Sequence, residues 1–428
     1  MPDMRGEALP AITITPNPAL SDEPVHIRLL GFTPGQRVTL RAEMADDAGQ
    51  RWRSWAEFAV SEAGAVDVAT EAPRSGSYSG ADAMGLVWSM ARADDGENAP
   101  APFARTTTNP LTIAFTAEVN GQLVAATHHT RLGMAAGVRR VETRERGLVG
   151  TLLLPPRAGL HPGVVVLGGS SGGLREPLAA LLASHGCAAL ALAYFGAEGL
   201  PPQLADIPLE YLETALDWMV ARPEVRGERC ALLGTSRGAE LALLLGATFP
   251  RVGAVIAYAP SGVRWGAVGA SGPAWTYRVE PLPVVPDRVP PELDVAISAR
   301  EPIRATEWYL YNLEDEAALE PAMIAVERIV GPVLLISGED DQMWPSTMMA
   351  ERIMRRLAER RFAWPYRHLR YLGAGHLIGP PWQPTTVNVR RHPTVGGVFA
   401  YGGSPAGQAR ANADSWPYVL EWLGANMA

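Results

Sequence analysis

The sequence predicts an α/β protein in which an immunoglobulin-like all-β sandwich precedes an α/β domain with a mostly parallel sheet. Three observations carry this prediction. The chain has 428 residues, which is too long for one ordinary hydrophobic core. Short β-branched runs dominate the first third, and strand and helix patterns alternate after about residue 140. We therefore predict a sandwich domain over residues 1–138 and an α/β domain over residues 139–428.

The first domain consists of short runs separated by Pro, Gly, Asn and Asp turn signals. The runs are ITITPNP, PVHIRLLGF, RVTLRAEMAD, RWRSWAEFAV, LTIAFTAEV and QLVAATHHTRLG. Regular short strands of this kind are typical of a sandwich. His128 and His129 are neighbours in the last strand, so their side chains point to opposite faces and cannot bind one metal ion together.

The second domain begins with VRRVETRERGLVGTLLLPP, which we interpret as a charged connection followed by a hairpin strand. The strands that follow are GVVVLGG, CAALALAYF, CALLGT, VGAVIAYAP, GPVLLISGE and RHLRYLG. The helices between and after them are EPLAALLASHG, LEYLETALDWMVARPEV, RGAELALLLGATF, a segment near TMMAERIMRRLAER, and ADSWPYVLEWLG. Near-continuous hydrophobic strands are expected where helices cover both faces of a parallel sheet. A Pro- and Trp-rich insertion at about 261–325 should lie over the carboxyl ends of the strands, where such sheets bind ligands.

Composition narrows the range of partners. The net charge of −8 argues against nucleic acid, and no apolar stretch is long enough to span a membrane. All 37 basic residues are arginine, which excludes Schiff-base chemistry on a lysine. Cys187 and Cys230 open apolar runs and lack metal-ligand spacing, so we expect buried thiols, no metal and no cofactor. The opening MPDMRGEALP lacks the layout of a signal peptide, which favours a cytoplasmic protein.

The stretch CALLGTSRGAELALLLG places Ser236 between a short apolar strand and a helix. Gly234 and Gly238 flank this serine at a spacing of two residues. The G-x-S-x-G pattern in a strand–turn–helix context is typical of a nucleophile elbow, where a strained turn exposes the hydroxyl above the sheet. A tight turn without chemistry is the alternative, and the motif alone does not decide between them.

The order of later residues favours the nucleophile. Hydrolases of the α/β-hydrolase fold place an acid and then a histidine after the serine. Asp341 follows the strand GPVLLIS in a G-x-x-D-x-x-x-P pattern, with Asp340 as the rival carboxylate. His376 lies in a loop just after the strand RHLRYLG. The histidines without such a setting are His26, His161, His185, His368 and His392.

A glycine-rich loop, LGGSSGG, follows the strand GVVVL. The oxyanion hole of this fold uses backbone N–H groups from the residue after the nucleophile and from such a loop. We therefore predict Arg237 and Ser170 as the two donors. The loop has no G-x-G-x-x-G pattern and no P-loop lysine, which disfavours a nucleotide site.

Together these segments resemble the family of acyl-CoA thioesterases and bile acid-CoA:amino acid N-acyltransferases. DEPVHIRLLGFTPGQRVTLRA and GSYSGADAMGLVW resemble the N-terminal domain of that family. GTSRGAEL, SGEDDQMW and GAGHLIGPP match its three catalytic blocks. The resemblance covers nearly the whole chain and implies a β-sandwich joined to an α/β-hydrolase domain.

The resemblance implies a catalytic triad of Ser236, Asp341 and His376 that acts on acyl-CoA thioesters. Serine is typical of the thioesterases in the family and cysteine of the N-acyltransferase, so this sequence favours hydrolysis through an acyl-serine. Acyl transfer from coenzyme A or an acyl-carrier protein to an amine or alcohol is the first alternative. Ester or peptide cleavage is the second, since the fold hosts many reactions. The expected partner is a small acyl-thioester.

Four aromatic residues are candidates for the wall of an acyl pocket, with ordinary core packing as the alternative. They are Trp265, Trp275 and Tyr277 in the insertion and Trp344 after the predicted acid.

Overall fold

The computed structural model describes residues 9–93 and 101–427. Residues 1–8, on which the signal-peptide expectation rests, lie outside this part. The chain forms two compact units. One runs to Gly133 and includes Pro381–Val387; the other comprises Met134–Pro380 and the residues from Asn388 onwards.

The first unit is built from strands, as predicted. Its elements are β1 (Ala11–Thr15), β2 (Ala19–Leu20), β3 (His26–Leu30), β4 (Arg37–Ala45), β5 (Arg51–Ala59), β6 (Val66–Asp67), β7 (Ser75–Gly76), α1 (Gly85–Trp88), β8 (Ala91–Arg92), β9 (Leu111–Val119) and β10 (Gln122–Leu132). One sheet has the order β1-β3-β6. The other has the order β2-β10-β9-β4-β5-β7, with β8 paired to β5.

The long strands of the first unit alternate between buried and more accessible residues. In β4, Val38, Leu40, Ala42 and Met44 are all buried, which is the period of two expected when one face of a sheet packs on a core. In β10, His129 is completely buried while His128 is exposed. The prediction that these two histidines face opposite ways is confirmed.

The second unit alternates strands and helices. Its elements are β11 (Arg139–Thr143), β12 (Val149–Leu154), β13 (Gly163–Leu167), α2 (Glu176–Ser184), β14 (Ala188–Ala193), β15 (Ile207–Pro208), α3 (Leu209–Val220), β16 (Cys230–Thr235), α4 (Arg237–Thr248), β17 (Val252–Tyr258), β18 (Trp275–Tyr277), β19 (Glu280–Pro281), α5 (Pro291–Ser298), α6 (Thr306–Asn312), α7 (Glu316–Leu319), β20 (Val333–Gly338), α8 (Ser346–Glu359), β21 (Tyr366–Tyr371), β22 (Val389–His392), β23 (Gly396–Ala400) and α9 (Pro405–Asn426). Short 3-10 helices lie at Glu145–Gly147, Glu320–Ala322 and Val326–Arg328.

Eight of these strands form one sheet with the order β11-β12-β14-β13-β16-β17-β20-β21. Every pair from β14 to β21 is parallel, and β12 runs antiparallel to its neighbours β11 and β14. All residues of β13, β14 and β17 are buried, since helices cover both faces. The thiols of Cys187 and Cys230 are buried and free. The predicted α/β-hydrolase architecture is confirmed.

One feature differs from the sequence interpretation, and two others were not predicted from the sequence. The charged segment Arg139–Thr143 is an edge strand rather than a connection, and its charged, mostly exposed side chains suit an edge that must not pair further. The insertion contains the short helices α5, α6 and α7. A hairpin of β22 and β23 follows His376, where the sequence showed no strand pattern.

None of the helices in the described ranges has the length and apolar character that a membrane span requires.

Candidate active site

Ser236 occupies a strained turn between β16 and α4. Its φ of 58° and ψ of −121° lie where side chains other than glycine are rarely found, at a cost of about 1–3 kcal/mol. The turn places the serine at the carboxyl end of a central strand and at the N-terminus of a helix, where the helix dipole favours negative charge.

The two flanking glycines allow this turn to form. A Cβ at Gly234 would lie 2.0 Å from the carbonyl oxygen of Gly238. A Cβ at Gly238 would in turn lie 2.3 Å from the carbonyl oxygen of Gly168. Both clashes are with backbone, which cannot rotate away. The spacing of the motif therefore reflects the close approach of strand, helix and glycine-rich loop.

The loop after β21 brings His376 to the serine. Its Nε2 lies 2.9 Å from Oγ of Ser236, although 140 residues separate the two in sequence. The backbone N–H of His376 donates to the carbonyl of Tyr401 at 2.8 Å. A Cβ at Gly375 would lie 2.3 Å from the carbonyls of both Tyr401 and Gly402, so a glycine is needed for the loop to reach this position.

Asp341 holds the other side of the imidazole. Its Oδ2 lies 2.8 Å from Nδ1 of His376 and also accepts from Oγ of Ser346 at 2.6 Å. Its Oδ1 accepts from the backbone N–H groups of Met343 and Trp344 at 3.0 and 3.1 Å. Because an ionised carboxylate only accepts, Nδ1 carries the imidazole proton and Nε2 is free to accept from Ser236.

The rival carboxylate points elsewhere. Oδ2 of Asp340 accepts from the backbone N–H of Gly403 at 2.9 Å, and its Oδ1 accepts from the side chain of Gln342. It therefore helps to fix the loop that ends at Gly403. The structure brings Asp341, and not Asp340, to the imidazole.

The glycine-rich loop after β13 faces the serine. A Cβ at Gly169 would lie 3.2 Å from Cβ of Ser236, which brings Ser170 next to the turn. The backbone N–H of Arg237 is at the first position of α4, where the helix itself offers no acceptor. The two predicted oxyanion donors thus belong to backbone segments on either side of Ser236.

His392 in β22 anchors this loop and was set aside in the sequence interpretation. Its Nδ1 accepts from the backbone N–H groups of Thr394 and Val395 at 3.2 and 3.3 Å. The proton is therefore on Nε2, which donates to Oγ of Ser170 at 2.8 Å. Burial lowers the pKa of His392 to about 4, and the neighbouring His376 and Arg390 act in the same direction. Only a contact across 222 residues reveals this role.

A buried ion pair lies beneath the turn. Nε of Arg237 is 3.3 Å from Oε2 of Glu240, and both side chains are almost entirely buried. Oε1 of Glu240 accepts from the indole N–H of Trp275 at 2.7 Å and from the backbone N–H of Trp265 at 3.3 Å. Arg237 donates to the carbonyl of Trp265 at 2.9 Å. This pair therefore ties the first turn of α4 to the insertion.

Burial raises the pKa of Glu240, and the charge of Arg237 opposes the rise. The sequence signal for this pair was an acidic residue three positions after Arg237 in an otherwise apolar helix.

The four predicted pocket residues divide into three groups. Trp265 and Trp275 are almost completely buried, and both indole N–H groups are hydrogen-bonded. They therefore stabilise the site through core packing. Tyr277 packs edge-on against Phe249 at 5.9 Å, just beyond the end of α4 opposite Ser236. Trp344 is in ring contact with His376, at 5.9 Å between centroids.

The insertion contributes two further aromatic residues that the sequence interpretation missed. Tyr309 of α6 contacts Trp344 at 5.7 Å and Trp265 at 4.7 Å, and Trp308 lies beside it. Burial raises the pKa of the Tyr309 phenol. A continuous aromatic cluster thus runs from the insertion to the imidazole.

Across residues 9–93 and 101–427, no group of three or more His, Cys, Asp or Glu side chains is placed to hold a metal ion.

The sheet order and the strained strand–turn–helix at Ser236 define an α/β-hydrolase. Two family models match the chain. "BAAT / Acyl-CoA thioester hydrolase C terminal" matches residues 207–428, and "Acyl-CoA thioester hydrolase/BAAT N-terminal region" matches residues 22–145. The chain belongs to this family, as the sequence resemblance implied.

Curated relatives span nearly the whole chain. Acyl-coenzyme A thioesterase 1 from Mus musculus is 33% identical over 409 residues, which cover 92% of this chain and 91% of the relative. Peroxisomal succinyl-coenzyme A thioesterase from Mus musculus is 31% identical over 418 residues, which cover 95% and 94%. Among solved structures, a puromycin-hydrolyzing peptidase of Mycobacterium tuberculosis is similar over 99% of this chain and 70% of its own, with 13% identity and a TM-score of 0.45.

Proposed function

We propose that this protein hydrolyses acyl-CoA thioesters through an acyl-serine intermediate on Ser236. The observation that carries the proposal is the hydrogen-bonded series from Ser236 through His376 to Asp341, at 2.9 and 2.8 Å, in a chain whose relatives are named acyl-CoA thioesterases. The same series could act on other acyl compounds. Family membership directs the proposal to the thioester.

Acylation follows from the proton positions. Nε2 of His376 accepts the proton of the Ser236 hydroxyl as Oγ attacks the thioester carbonyl carbon. The resulting imidazolium is stabilised by the carboxylate of Asp341, which stays ionised. The carbon–sulfur bond then breaks, and the imidazolium returns its proton to the thiolate, so that free coenzyme A leaves and the acyl group stays on Oγ.

The carbonyl oxygen of the substrate carries negative charge while its carbon is tetrahedral. Hydrogen-bond donors must stabilise that charge. We assign this task to the backbone N–H groups of Arg237 and Ser170. The N-terminus of α4 adds a favourable dipole at the same place. The hydrogen bond from His392 keeps the loop of Ser170 against the turn.

Deacylation uses the same imidazole. His376 takes a proton from water, the hydroxide equivalent attacks the acyl carbon, and Ser236 regains its proton as the free acid leaves. An amine or alcohol in place of water would give acyl transfer with no change in the residues. Analysis of the products therefore shows whether water, an amine or an alcohol accepts the acyl group.

For the pocket wall we retain Trp344, because its ring contacts the imidazole of His376, and add Tyr309 next to it. Trp265 and Trp275 act in this proposal as supports for that wall.

Thiol release from a series of acyl-CoAs of different length and branching tests the proposal. We expect turnover of at least one class, a fall of about 10⁴-fold or more in kcat for Ser236→Ala, and free acid as the product by mass spectrometry. The same acyl groups on an acyl-carrier protein, and parallel reactions with added amines, distinguish the carrier and the acceptor. Full activity of Ser236→Ala on every thioester would contradict the proposal.

A further inference from the structure

A small cavity of about 20 Å³ lies inside the first unit. All of the residues that line it belong to that unit, including Trp382 and Gln383 of the segment Pro381–Val387. The apolar part of the lining consists of Met44, Val87, Phe103, Leu111 and Ile113. A cavity of this volume can hold one water molecule or one monatomic ion, and it excludes larger groups.

Three side chains that line this cavity carry a buried N–H group without a hydrogen-bond partner among the described residues. These groups are Nη2 of Arg105, Nε of Arg131 and Nε1 of Trp382. They come from three separate parts of the chain: the loop before β9, the end of β10 and the segment Pro381–Val387. A buried donor without an acceptor is costly, so three of them on one cavity indicate that an acceptor binds there.

The guanidinium of Arg131 is held in place by two backbone carbonyls. Its Nη1 donates to the carbonyl of Glu23 at 2.8 Å, and its Nη2 donates to the carbonyl of Ser21 at 2.6 Å. Arg131 is only 2% exposed, and Leu111, which is opposite it in the register of β9 and β10, lines the same cavity. Nε is therefore the donor of Arg131 that remains for a ligand.

The guanidinium of Arg105 lies near the end of the same strand. Its Nη2 is so close to Gly133, two residues after Arg131, that a Cβ at Gly133 would clash with it. Nη1 of Arg105 donates to Oδ1 of Asp47 at 3.3 Å, and both side chains are more than nine-tenths buried. Asp47 thus fixes one nitrogen of this guanidinium and leaves Nη2 available to the cavity.

The charges around the cavity favour an anion. Burial lowers the pKa of Arg131 to about 10, although the carboxylates of Asp22 and Glu23 oppose the fall. Burial also lowers the pKa of Arg105, and the carboxylate of Asp47 only partly offsets it. A negative charge in the cavity would stabilise the charged form of both guanidinium groups.

We propose that this cavity binds one monatomic anion of the size of chloride, held by the N–H groups of Arg105, Arg131 and Trp382. The proposal is independent of the proposed function. A water molecule would have to donate two hydrogen bonds of its own, whereas all three of these groups are donors. The remaining polar lining residues, Ser21 and Gln383, can donate as well. A monatomic anion accepts from every donor and needs no acceptor in return.

Diffraction from crystals grown in sodium bromide tests the proposal directly. At about 0.2 M bromide, data collected at the bromine absorption edge should show an anomalous peak in the cavity, within hydrogen-bond distance of the three N–H groups. A water molecule at that position would overturn the proposal. A peak that appears only at molar bromide would also overturn it, because it would indicate an adventitious ion only.

Thermal unfolding of the full chain gives a second measurement, in solution. Replacing gluconate by about 0.2 M chloride at constant ionic strength should raise the unfolding midpoint by about 2–4 °C, because a ligand of the native state stabilises it. Gluconate is too large for the cavity and serves as the reference anion. The same midpoint in both salts would contradict the proposal.

Two mild substitutions locate the effect. Trp382→Phe removes one donor but keeps an aromatic ring, so it should lose at least half of the rise caused by chloride. Arg105→Lys can keep the ion pair with Asp47 but lacks Nη2, and we expect the same loss.

Trp422→Phe in α9 is the matched control and should keep the whole rise. The indole N–H of Trp422 is likewise buried without a partner in the described ranges, but it belongs to the second unit. An undiminished rise in both Trp382→Phe and Arg105→Lys would place the chloride effect elsewhere and overturn the proposal.

Discussion

The imidazole of His392 donates from Nε2 to Oγ of Ser170 at 2.8 Å, across 222 residues of sequence. Thr394 reinforces this link, because its hydroxyl donates to the carbonyl of Ser170 at 2.7 Å. The hairpin of β22 and β23 thereby holds the glycine-rich loop in place. In our account, this contact positions one of the two oxyanion donors.

Removing the contact between His392 and Ser170 should lower the rate of the chemical step more than it weakens substrate binding. We expect His392→Ala to lower kcat by about 10- to 100-fold with little change in KM, because a displaced oxyanion donor acts mainly in the transition state. His392→Gln, which can still donate to Ser170, should recover part of the loss. His368→Ala is the control, since His368 contacts another serine, Ser337, at the same 2.8 Å. A rise in KM with kcat unchanged would contradict the positioning role.

Acid should destabilise the protein through its buried, neutral histidines. Burial lowers the pKa of His129 to about 4, with repulsion from Arg131 as a second cause. Between pH 6.5 and 4 the unfolded chain binds this proton and the folded chain does not, so stability falls as the pH is lowered through that range. The contribution of His129 is on the order of 3 kcal/mol.

The free energy of unfolding, measured in urea between pH 7 and pH 4.5, checks this expectation. His129→Leu should flatten the decline with falling pH. His128→Leu, on the exposed face of the same strand, should leave it unchanged. An identical pH dependence in the parent protein and in both variants would show that His129 does not titrate as described.

Glu240 should be needed for stability because its partner is buried. Glu240→Gln can keep the hydrogen bonds to Trp275 and Trp265 but leaves the charge of Arg237 uncompensated. We expect a loss of about 3–5 kcal/mol in unfolding free energy, and a smaller loss when Arg237→Met is added. Glu351→Gln, in an exposed ion pair with Arg370, should cost less than about 1 kcal/mol. Additive effects of the two buried substitutions would contradict the pairing.

The flanking glycine of the turn should tolerate no side chain. Gly234→Ala places a Cβ 2.0 Å from the carbonyl oxygen of Gly238, so strand and helix must separate. We expect kcat/KM to fall by about 100-fold or more, since displacements near 1 Å at a reacting centre have that effect.

Gly424→Ala in α9 is the control for that substitution, because a Cβ there meets nothing within 4 Å. It should preserve activity and raise the unfolding free energy by up to about 1 kcal/mol. Normal activity of Gly234→Ala would show that the turn is looser than described.

The local sequence pattern was sufficient to predict the strands of the large sheet and the order of Ser236, Asp341 and His376 along the chain. Hydrophobic runs such as β13 and β16 are buried on both faces, so their composition alone identifies them. The turn motif also predicts its own backbone geometry, because Gly234 and Gly238 are required by contacts a few residues away.

The parts that sequence could not predict depend on distant contacts. Pro381–Val387 belongs to the first unit, where Thr386 donates to the carbonyl of Met90 at 2.7 Å across 296 residues. His392 looks like any loop histidine until β22 is seen beside Ser170. From the sequence, Glu240 and Arg390 would be interpreted as surface residues, because no local sequence pattern shows that a charged side chain is buried.

Mass spectrometry of the protein during turnover tests the central claim most directly. With a slowly hydrolysed acyl-CoA, rapid acid quenching should reveal a mass increase equal to the acyl group, located on the peptide that contains Ser236. The adduct should be absent from Ser236→Ala and should form far more slowly in His376→Ala. An adduct on a different residue, or undiminished hydrolysis by Ser236→Ala, would contradict the account.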